Sequence, residues 1–261
     1  MFWKLVKYEL QSVRKWYLGI YGIAILLSIP LGLMLQKLIV SFEHSHKEPS
    51  LLFMAFFTLI VIATIVVWGT IYIATIALII KRFATSVFGR EGYLSNTLPI
   101  SAHQLILSKL FVAFILDTIS SLVVLASIGI IAAFNLDMKD ILLTTSYFGQ
   151  ILKEIGALYL FIPSTILGTI AGILLYYLCI SIGNLFNTNK ILMGFVAYFA
   201  IQSILFFIGF FFVFSAVLTS NITSNSMNNL TYILDIIQSI VIIATSYFGT
   251  YYIMTKRLNL D

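Results

Sequence analysis

The chain has 261 residues and a net charge of +5, with 61% apolar and 10% charged residues and a mean hydropathy of +1.05. Soluble domains carry about 25% charged residues, so this composition excludes an ordinary water-soluble globular protein. The one cysteine, Cys179, excludes an intramolecular disulfide and a multi-cysteine metal site. Because lipid must meet most of the surface, we expect an integral membrane protein.

Residues 1–15 have the pattern of an amphipathic helix. Basic residues fall largely on one side of this helix, and apolar residues recur at helical spacing on the other, at Phe2, Trp3, Val6, Leu10 and Val13. Such a helix lies in the headgroup layer with its basic face toward anionic lipid. The alternative is an ordinary positive flank that only fixes the orientation of the first span.

Six apolar segments follow, each near or above the roughly 20 residues that a membrane-spanning helix needs. They cover residues 16–35, 52–80, 111–134, 157–185, 191–218 and 232–254. The sequence therefore predicts an all-α protein with a single transmembrane domain of six spans.

The basic residues between the spans predict their orientation. Eleven of the 15 Lys and Arg residues lie in the N-terminal segment, the second and fourth loops and the C-terminal segment, and the other four lie in the first and third loops. Since Lys and Arg concentrate on the cytoplasmic side, we expect both termini and residues 81–110 in the cytoplasm. These charges are scattered between apolar runs rather than gathered on one face, so we expect no nucleic-acid partner.

Residues 81–110 form the most informative loop. Gly92 permits unusual backbone angles, Pro99 ends one helix, and Ser101 can cap the next. We predict a short helix over residues 92–97, a break at Pro99 and a new helix from Ser101 into the third span. A short helix across the cytoplasmic mouth could dock into a partner protein. A plain connector, the alternative, would more naturally be short and polar.

The same loop carries a recognisable pattern. An acidic residue and a glycine precede a leucine, then Leu-Pro-Ile-Ser, then an apolar stretch that ends in lysine; the residues are Arg90, Glu91, Gly92, Tyr93, Leu94, Leu98, Pro99, Ile100, Ser101, Leu105 and Lys109. This pattern, between spans two and three of a six-span chain with an amphipathic start, resembles the cytoplasmic loop of ABC-2-type transporter permeases. The residues of this loop are most similar to those of the small bacterial branch of the family, whose members export lantibiotics, bacitracin-like antibiotics and other peptides.

The resemblance implies a division of labour between subunits. Residues 1–15 would be the elbow helix, and a coupling helix in the loop would contact the ATPase through Arg90, Glu91, Gly92, Tyr93, Leu94, Leu98, Pro99 and Ser101. Two ATPase subunits would pair with two permease chains, identical or paralogous, in the cytoplasmic membrane of a bacterium. ATP and Mg²⁺ would bind the ATPase, because this chain has no Walker A sequence. The chain itself would hold no cofactor or metal, catalyse no reaction, and move a hydrophobic or amphipathic peptide outward.

Ionisable residues inside spans are rare, because a membrane-embedded charge must face protein or water. Asp117 lies inside the third span and, with Ser120 and Ser121, could line an inner cavity. The alternative is an interfacial aspartate. Asp235 lies close to the outer boundary of the sixth span, which favours an interfacial position.

Small residues and aromatic residues recur in spans four and five. Gly168 and Gly172 form a Gly-x-x-x-Gly pair, which permits close helix packing. Packing within the chain is the default interpretation, and a dimer interface is the alternative. The phenylalanines over residues 206–212 indicate a lipid-facing surface.

Other functions are less well supported by the residues present. An intramembrane enzyme would need paired catalytic residues inside the spans, whereas all three histidines fall outside them. An ion-coupled secondary transporter would need several intramembrane charges or broken helices. A non-transporting membrane scaffold or sensor subunit, and an ABC exporter of a lipid or small drug, are the alternatives that the sequence leaves open.

Overall fold

The structure, a computed structural model, describes residues 2–44, 50–89, 102–135, 158–186, 189–219 and 224–256. In these ranges the regular secondary structure is α-helical throughout. The six helices are α1 Phe2–His44, α2 Leu51–Val87, α3 Ala102–Asn135, α4 Leu158–Gly183, α5 Lys190–Thr219 and α6 Ser224–Lys256. Each contains a segment long and apolar enough to cross a membrane. The predicted all-α class and six spans are therefore confirmed, and the architecture is that of a multi-pass membrane protein.

Several helices extend beyond the predicted apolar segments. The predicted interfacial helix and the first span belong to one helix, α1, and the side chains of Phe2, Trp3, Val6, Leu10 and Val13 lie outside the described residues. The second helix continues through Lys81 and Arg82 to Val87, just before Gly89. Lys and Arg are good helix formers, so a helix need not stop where its apolar run stops.

The chain divides into two compact units, and unit 1 comprises Met1–Leu78 and Ile115–Gln150. Its core is formed where α1 packs against α2 and α3. The residues are Tyr17, Tyr21, Ala24 and Ile71, with Val67, Val123 and Val124 packed against them. Farther along α1, Gly32 lies so close to Phe134 that a Cβ atom there would stand 2.7 Å from the ring.

Unit 2 comprises Ile79–Phe114 and Ile151–Asp261. It contains the end of α2, the start of α3 and the helices α4, α5 and α6, and α4 packs against both α5 and α6. Its buried core draws on four helices, with Ile79, Phe83 and Val87 from α2, Leu105, Ile106 and Ala113 from α3, Ile173, Leu174 and Tyr177 from α4, and Met254 from α6. On α5, Phe199, Phe207 and Phe211 are exposed, which suits contact with lipid.

A tight connection joins α4 to α5. Asn189 has a φ of 57°, in the left-handed region that asparagine tolerates better than most residues. Past this turn, the backbone of α5 comes so close to Gly183 that an added Cβ atom would overlap the carbonyl oxygen of Lys190 and approach the amide nitrogen of Gly194 to 3.0 Å. The first turn of α5 is therefore packed backbone against backbone on the last turn of α4.

Candidate functional site: a cleft formed by α4, α5 and α6

The predicted coupling residues lie outside the described residues, and so does the predicted short helix over residues 92–97. These are Arg90, Glu91, Gly92, Tyr93, Leu94, Leu98, Pro99 and Ser101. The structure does describe both stems of the loop. The first stem ends with α2 at Val87, and the second begins with α3 at Ala102, directly after Ser101.

The first stem packs on α4 through a pair of aromatic rings. Phe83 of α2 and Tyr177 of α4 are each 1% exposed. Their rings stack with centroids 3.9 Å apart and planes 8° from parallel. Val87, one turn farther along α2, belongs to the same buried core. The end of α2 is thus held against α4 up to its last residue.

The second stem packs on α6 through His103. Nδ1 of His103 forms a hydrogen bond of 2.6 Å with Oη of Tyr247. The imidazole also stacks on the ring of Tyr251, with centroids 4.3 Å apart. Two residues later, Leu105 and Ile106 enter the core shared with α4. Both stems of the loop are therefore fixed to the helices of unit 2.

The predicted pathway residues of α3 lie in unit 1, and their side chains differ in solvent exposure. Ser120 is buried and Ser121 is exposed, whereas Asp117 is half-buried. The Ser121 hydroxyl donates only to carbonyl oxygens of its own helix, those of Asp117 and Thr118. The three side chains thus face different surroundings although they share two turns of helix.

Ser120 takes part in a hydroxyl network that joins three helices. Its Oγ lies 2.7 Å from Oη of Tyr21 and 3.0 Å from Oγ1 of Thr75. The hydroxyl of Tyr17 donates to Oγ1 of Thr75 over 3.2 Å. Since Ser120 can also donate to the carbonyl oxygen of Leu116, each of the four hydroxyl groups has an acceptor. This network connects α1, α2 and α3 within unit 1.

Unit 2 contains a cleft of about 780 Å³ lined by α4, α5 and α6. That volume falls within the 300–1,000 Å³ typical of ligand-binding pockets. Along α4 the lining runs from Phe161 to Tyr176, along α5 from Tyr198 to Phe210, and along α6 from Tyr232 to Ile242. The cleft therefore follows the helix axes rather than crossing them.

The polar side chains of the cleft that make no hydrogen bond to the described part of the chain include those of Gln202 on α5 and of Gln238 and Ser239 on α6. Ser239 is 7% exposed. The hydroxyls of Ser164 and Thr165 on the opposite wall instead donate to α4 carbonyl oxygens three residues earlier. Gln202 is exposed and Gln238 is half-buried, and a polar group that faces hydrocarbon without a partner is costly. These three side chains can therefore pair with a bound molecule.

One wall of the cleft is formed by glycine. A Cβ atom built on Gly168 or Gly172 would meet no heavy atom within 4 Å. Both residues line the cleft, as does Gly209 of α5. The default interpretation of the Gly-x-x-x-Gly pair as packing within the chain is therefore wrong for the described residues. Gly183 and Gly194 do mediate such packing, because their backbones touch the facing helix.

Aromatic rings and one carboxylate complete the described lining. Phe161 and Tyr232 meet edge to face at 6.0 Å, Phe206 stacks on Phe210 at 6.4 Å, and Tyr176 lies 5.6 Å from Tyr198. Asp235 is the single ionisable acid among the described lining residues, and Lys, Arg and His are absent from them. The cleft is thus apolar and aromatic, with a polar middle and a negative charge on α6.

From the sequence, Asp235 was assigned to the interface, Gly168 and Gly172 to helix packing, and the phenylalanines over residues 206–212 to a lipid-facing surface, and none of them was assigned to a cavity. A usable signal was present: Gln202 and Gln238 are amides inside otherwise apolar spans, where polar side chains tend to face protein or a cavity. Phe206 and Phe210 line the cleft whereas Phe207 and Phe211 do not, although all four side chains are exposed. Helical spacing alone does not say which face meets another helix.

In the part of the chain that the structure describes, no three His, Cys, Asp or Glu side chains converge as a metal site would require. The chemistry available to the cleft is therefore that of its amides, hydroxyls, aromatic rings and one carboxylate. Comparison of the chain with protein-family models, with curated proteins and with solved structures gives no significant match.

Proposed function

We propose that the chain is the membrane subunit of an ATP-driven ABC exporter that moves a hydrophobic or amphipathic peptide out of a bacterial cell. Six apolar helices support a membrane location, and the pattern from Arg90 to Lys109 supports the family. One observation carries the proposal furthest. Both stems of the predicted coupling loop pack in the unit that contains the α4–α5–α6 cleft.

In this proposal, residues 90–101 contact a separate ATPase subunit on the cytoplasmic side. Movement of the loop is passed to α4 through Phe83 and Tyr177, and to α6 through His103 and its two tyrosine partners. Packed interfaces of this kind tend to switch between discrete arrangements rather than deform continuously. The ATPase can bias those arrangements only if it contacts the loop differently in its two nucleotide states.

The ATPase subunit supplies all the chemistry. ATP and Mg²⁺ bind there, and a second permease chain completes a pathway with two ATPase subunits. This chain contributes the docking loop, the stems that transmit its movement, and a cleft whose mixed lining suits an amphipathic molecule.

The test is to co-express the chain with an ABC-type ATPase encoded by a neighbouring gene of its source genome, and to purify any complex in nanodiscs. Assembly and ATP hydrolysis are then compared for the wild type, Glu91→Ala and Leu94→Ala. Coupling between sites commonly changes binding affinity 5–150-fold, so we expect each loop variant to bind the ATPase at least about five-fold more weakly and the complex to hydrolyse less ATP.

Thr255→Ala serves as the control in the same experiment. Thr255 is exposed, and its hydroxyl donates only to carbonyl oxygens of its own helix. The control should match the wild type. If the ATPase does not bind the chain, the proposed function is wrong. If both loop variants assemble and hydrolyse ATP like the wild type, the assignment of the loop is wrong.

A further inference from the structure

We infer that the α4–α5–α6 cleft binds a cationic amphipathic peptide segment, with a lysine or arginine side chain beside Asp235 and its backbone against the glycine wall. This deepens the proposed function by locating the cargo and naming its charge. It rests on that function only for the statement that the bound peptide is cargo. The binding itself follows from the shape, the charge and the polar groups of the cleft.

The shape of the cleft suits an elongated body. On α4 the lining extends over 16 residues, from Phe161 to Tyr176, and the rise between these two residues is about 22 Å at 1.5 Å per residue. A helical segment of about 12 residues has a length of roughly 18 Å. Because Gly168, Gly172 and Gly209 present no side chain, a peptide backbone can approach this wall closely.

The middle of the cleft can bind a ligand that both donates and accepts hydrogen bonds. Gln202 and Gln238 each carry two N–H donors and a carbonyl acceptor, and Ser239 carries a hydroxyl. None of the three has a partner within the described residues. A simple alkyl chain lying here would leave all three unsatisfied, whereas polar peptide side chains, and the terminal amides of a helical segment that have no partner within the helix, can pair with them.

The carboxylate of the cleft determines which charge the ligand carries. Asp235 faces no basic residue among the described lining residues, and Tyr232 lies one helical turn before it on the same helix face. A carboxylate beside aromatic rings attracts a cation through both Coulombic and cation–π interactions. An anionic lipid headgroup or a fatty acid would instead be repelled.

The experiment measures binding to the isolated chain in nanodiscs of zwitterionic lipid, without any ATPase. The probe is a fluorescein-labelled synthetic peptide of about 12 residues with the repeat Leu-Lys-Lys-Leu. A second peptide carries glutamine in place of every lysine. Empty nanodiscs of the same lipid give the background from partitioning into the bilayer, which is subtracted.

Two substitutions test the two halves of the inference. Asp235→Asn should weaken binding of the lysine peptide roughly five-fold and leave the affinity for the glutamine peptide unchanged. Asp235→Glu keeps the carboxylate and should bind the lysine peptide like the wild type. Gly172→Leu fills open space in the cleft, so it should weaken both peptides at least about ten-fold. Gly129→Leu is the matched control, because a Cβ atom at Gly129 of α3 also meets open space, but in unit 1.

Equal affinities for the wild type, Gly172→Leu and Gly129→Leu would overturn the cleft as the binding site. An unchanged affinity of Asp235→Asn for the lysine peptide would overturn its preference for a cation. Neither outcome depends on an ATPase, and the co-purification test uses no peptide. A failure of this inference is therefore distinguishable from a failure of the proposed function.

Discussion

Two groups of described residues form hydrogen bonds between side chains of different helices. Tyr17, Tyr21, Thr75 and Ser120 join three helices of unit 1, and His103 with Tyr247 joins α3 to α6 in unit 2. Interhelical hydrogen bonds in membrane proteins contribute about 0.6 kcal/mol on average and up to about 1.7 kcal/mol. Within unit 1, the shared partners favour a value above that average.

Tyr21→Phe tests the hydroxyl network. The substitution removes the hydroxyl group that pairs with Ser120 but keeps the aromatic ring, which meets the ring of Tyr17 edge to face at 5.3 Å. We expect the free energy of unfolding to fall by about 1 kcal/mol. Tyr72→Phe is the control, because Tyr72 of the same unit is 63% exposed. Thermal unfolding of both variants in one detergent measures the effect. Equal melting temperatures for the two variants would show that the network does not stabilise the bundle.

The sequence predicted single residues less well than helices. Ser120 was predicted as a possible lining residue of an inner cavity, and in the structure its hydroxyl belongs to a hydrogen-bond network between helices. Asp235 was assigned to an interface; the residue is exposed, and its place in the lining of the cleft was not predicted. The cost of a buried polar group says that it needs a partner, but the identity of that partner depends on how helices distant in sequence pack.

At the scale of helices, the hydropathy pattern predicted the existence and order of all six. This succeeds because a bilayer requires about 20 apolar residues for each span. The helix ends were less predictable. The second helix passes Lys81 and Arg82 and ends at Val87, because membrane thickness limits the apolar run and not the helix itself.

The α4–α5 connection gives a prediction at this scale. In Gly183→Ala, the added methyl group would overlap the carbonyl oxygen of Lys190 and crowd the backbone of Gly194. Backbone cannot move aside as a side chain can, so we expect a loss of at least about 2 kcal/mol in the free energy of unfolding. Gly172→Ala should be neutral or stabilising by up to about 1 kcal/mol, since its methyl group meets open space and alanine favours a helix.

Denaturation in a series of sodium dodecyl sulfate concentrations compares the two alanine variants with the wild type. The prediction requires Gly183→Ala to unfold at a lower detergent concentration and Gly172→Ala to unfold at the same or a higher one. Similar shifts for both variants would mean that α4 and α5 do not approach as closely as described.

At the scale of the whole molecule, the proposed exporter depends on the loop between α2 and α3. Its stems are held by Phe83 on α4 and by His103 on α6, and α4 and α6 also line the cleft. The loop pattern was readable from the sequence because it is local. The connection between loop and cleft was not, because it depends on contacts between residues as far apart as His103 and Tyr247.

Site-specific cross-linking of the loop to the ATPase tests directly whether the loop contacts that subunit. Cys179 is the single cysteine of the chain and is buried, so a Cys179→Ala background allows one new cysteine at a time. Leu94→Cys and, as the control in the predicted first outer loop, Ser45→Cys are labelled with benzophenone maleimide and irradiated in membranes that contain the co-expressed ATPase. We predict a covalent adduct between the chain and the ATPase for Leu94→Cys and none for Ser45→Cys. Absence of the adduct at position 94, or an equal yield at position 45, would contradict a cytoplasmic coupling loop and with it the proposed exporter.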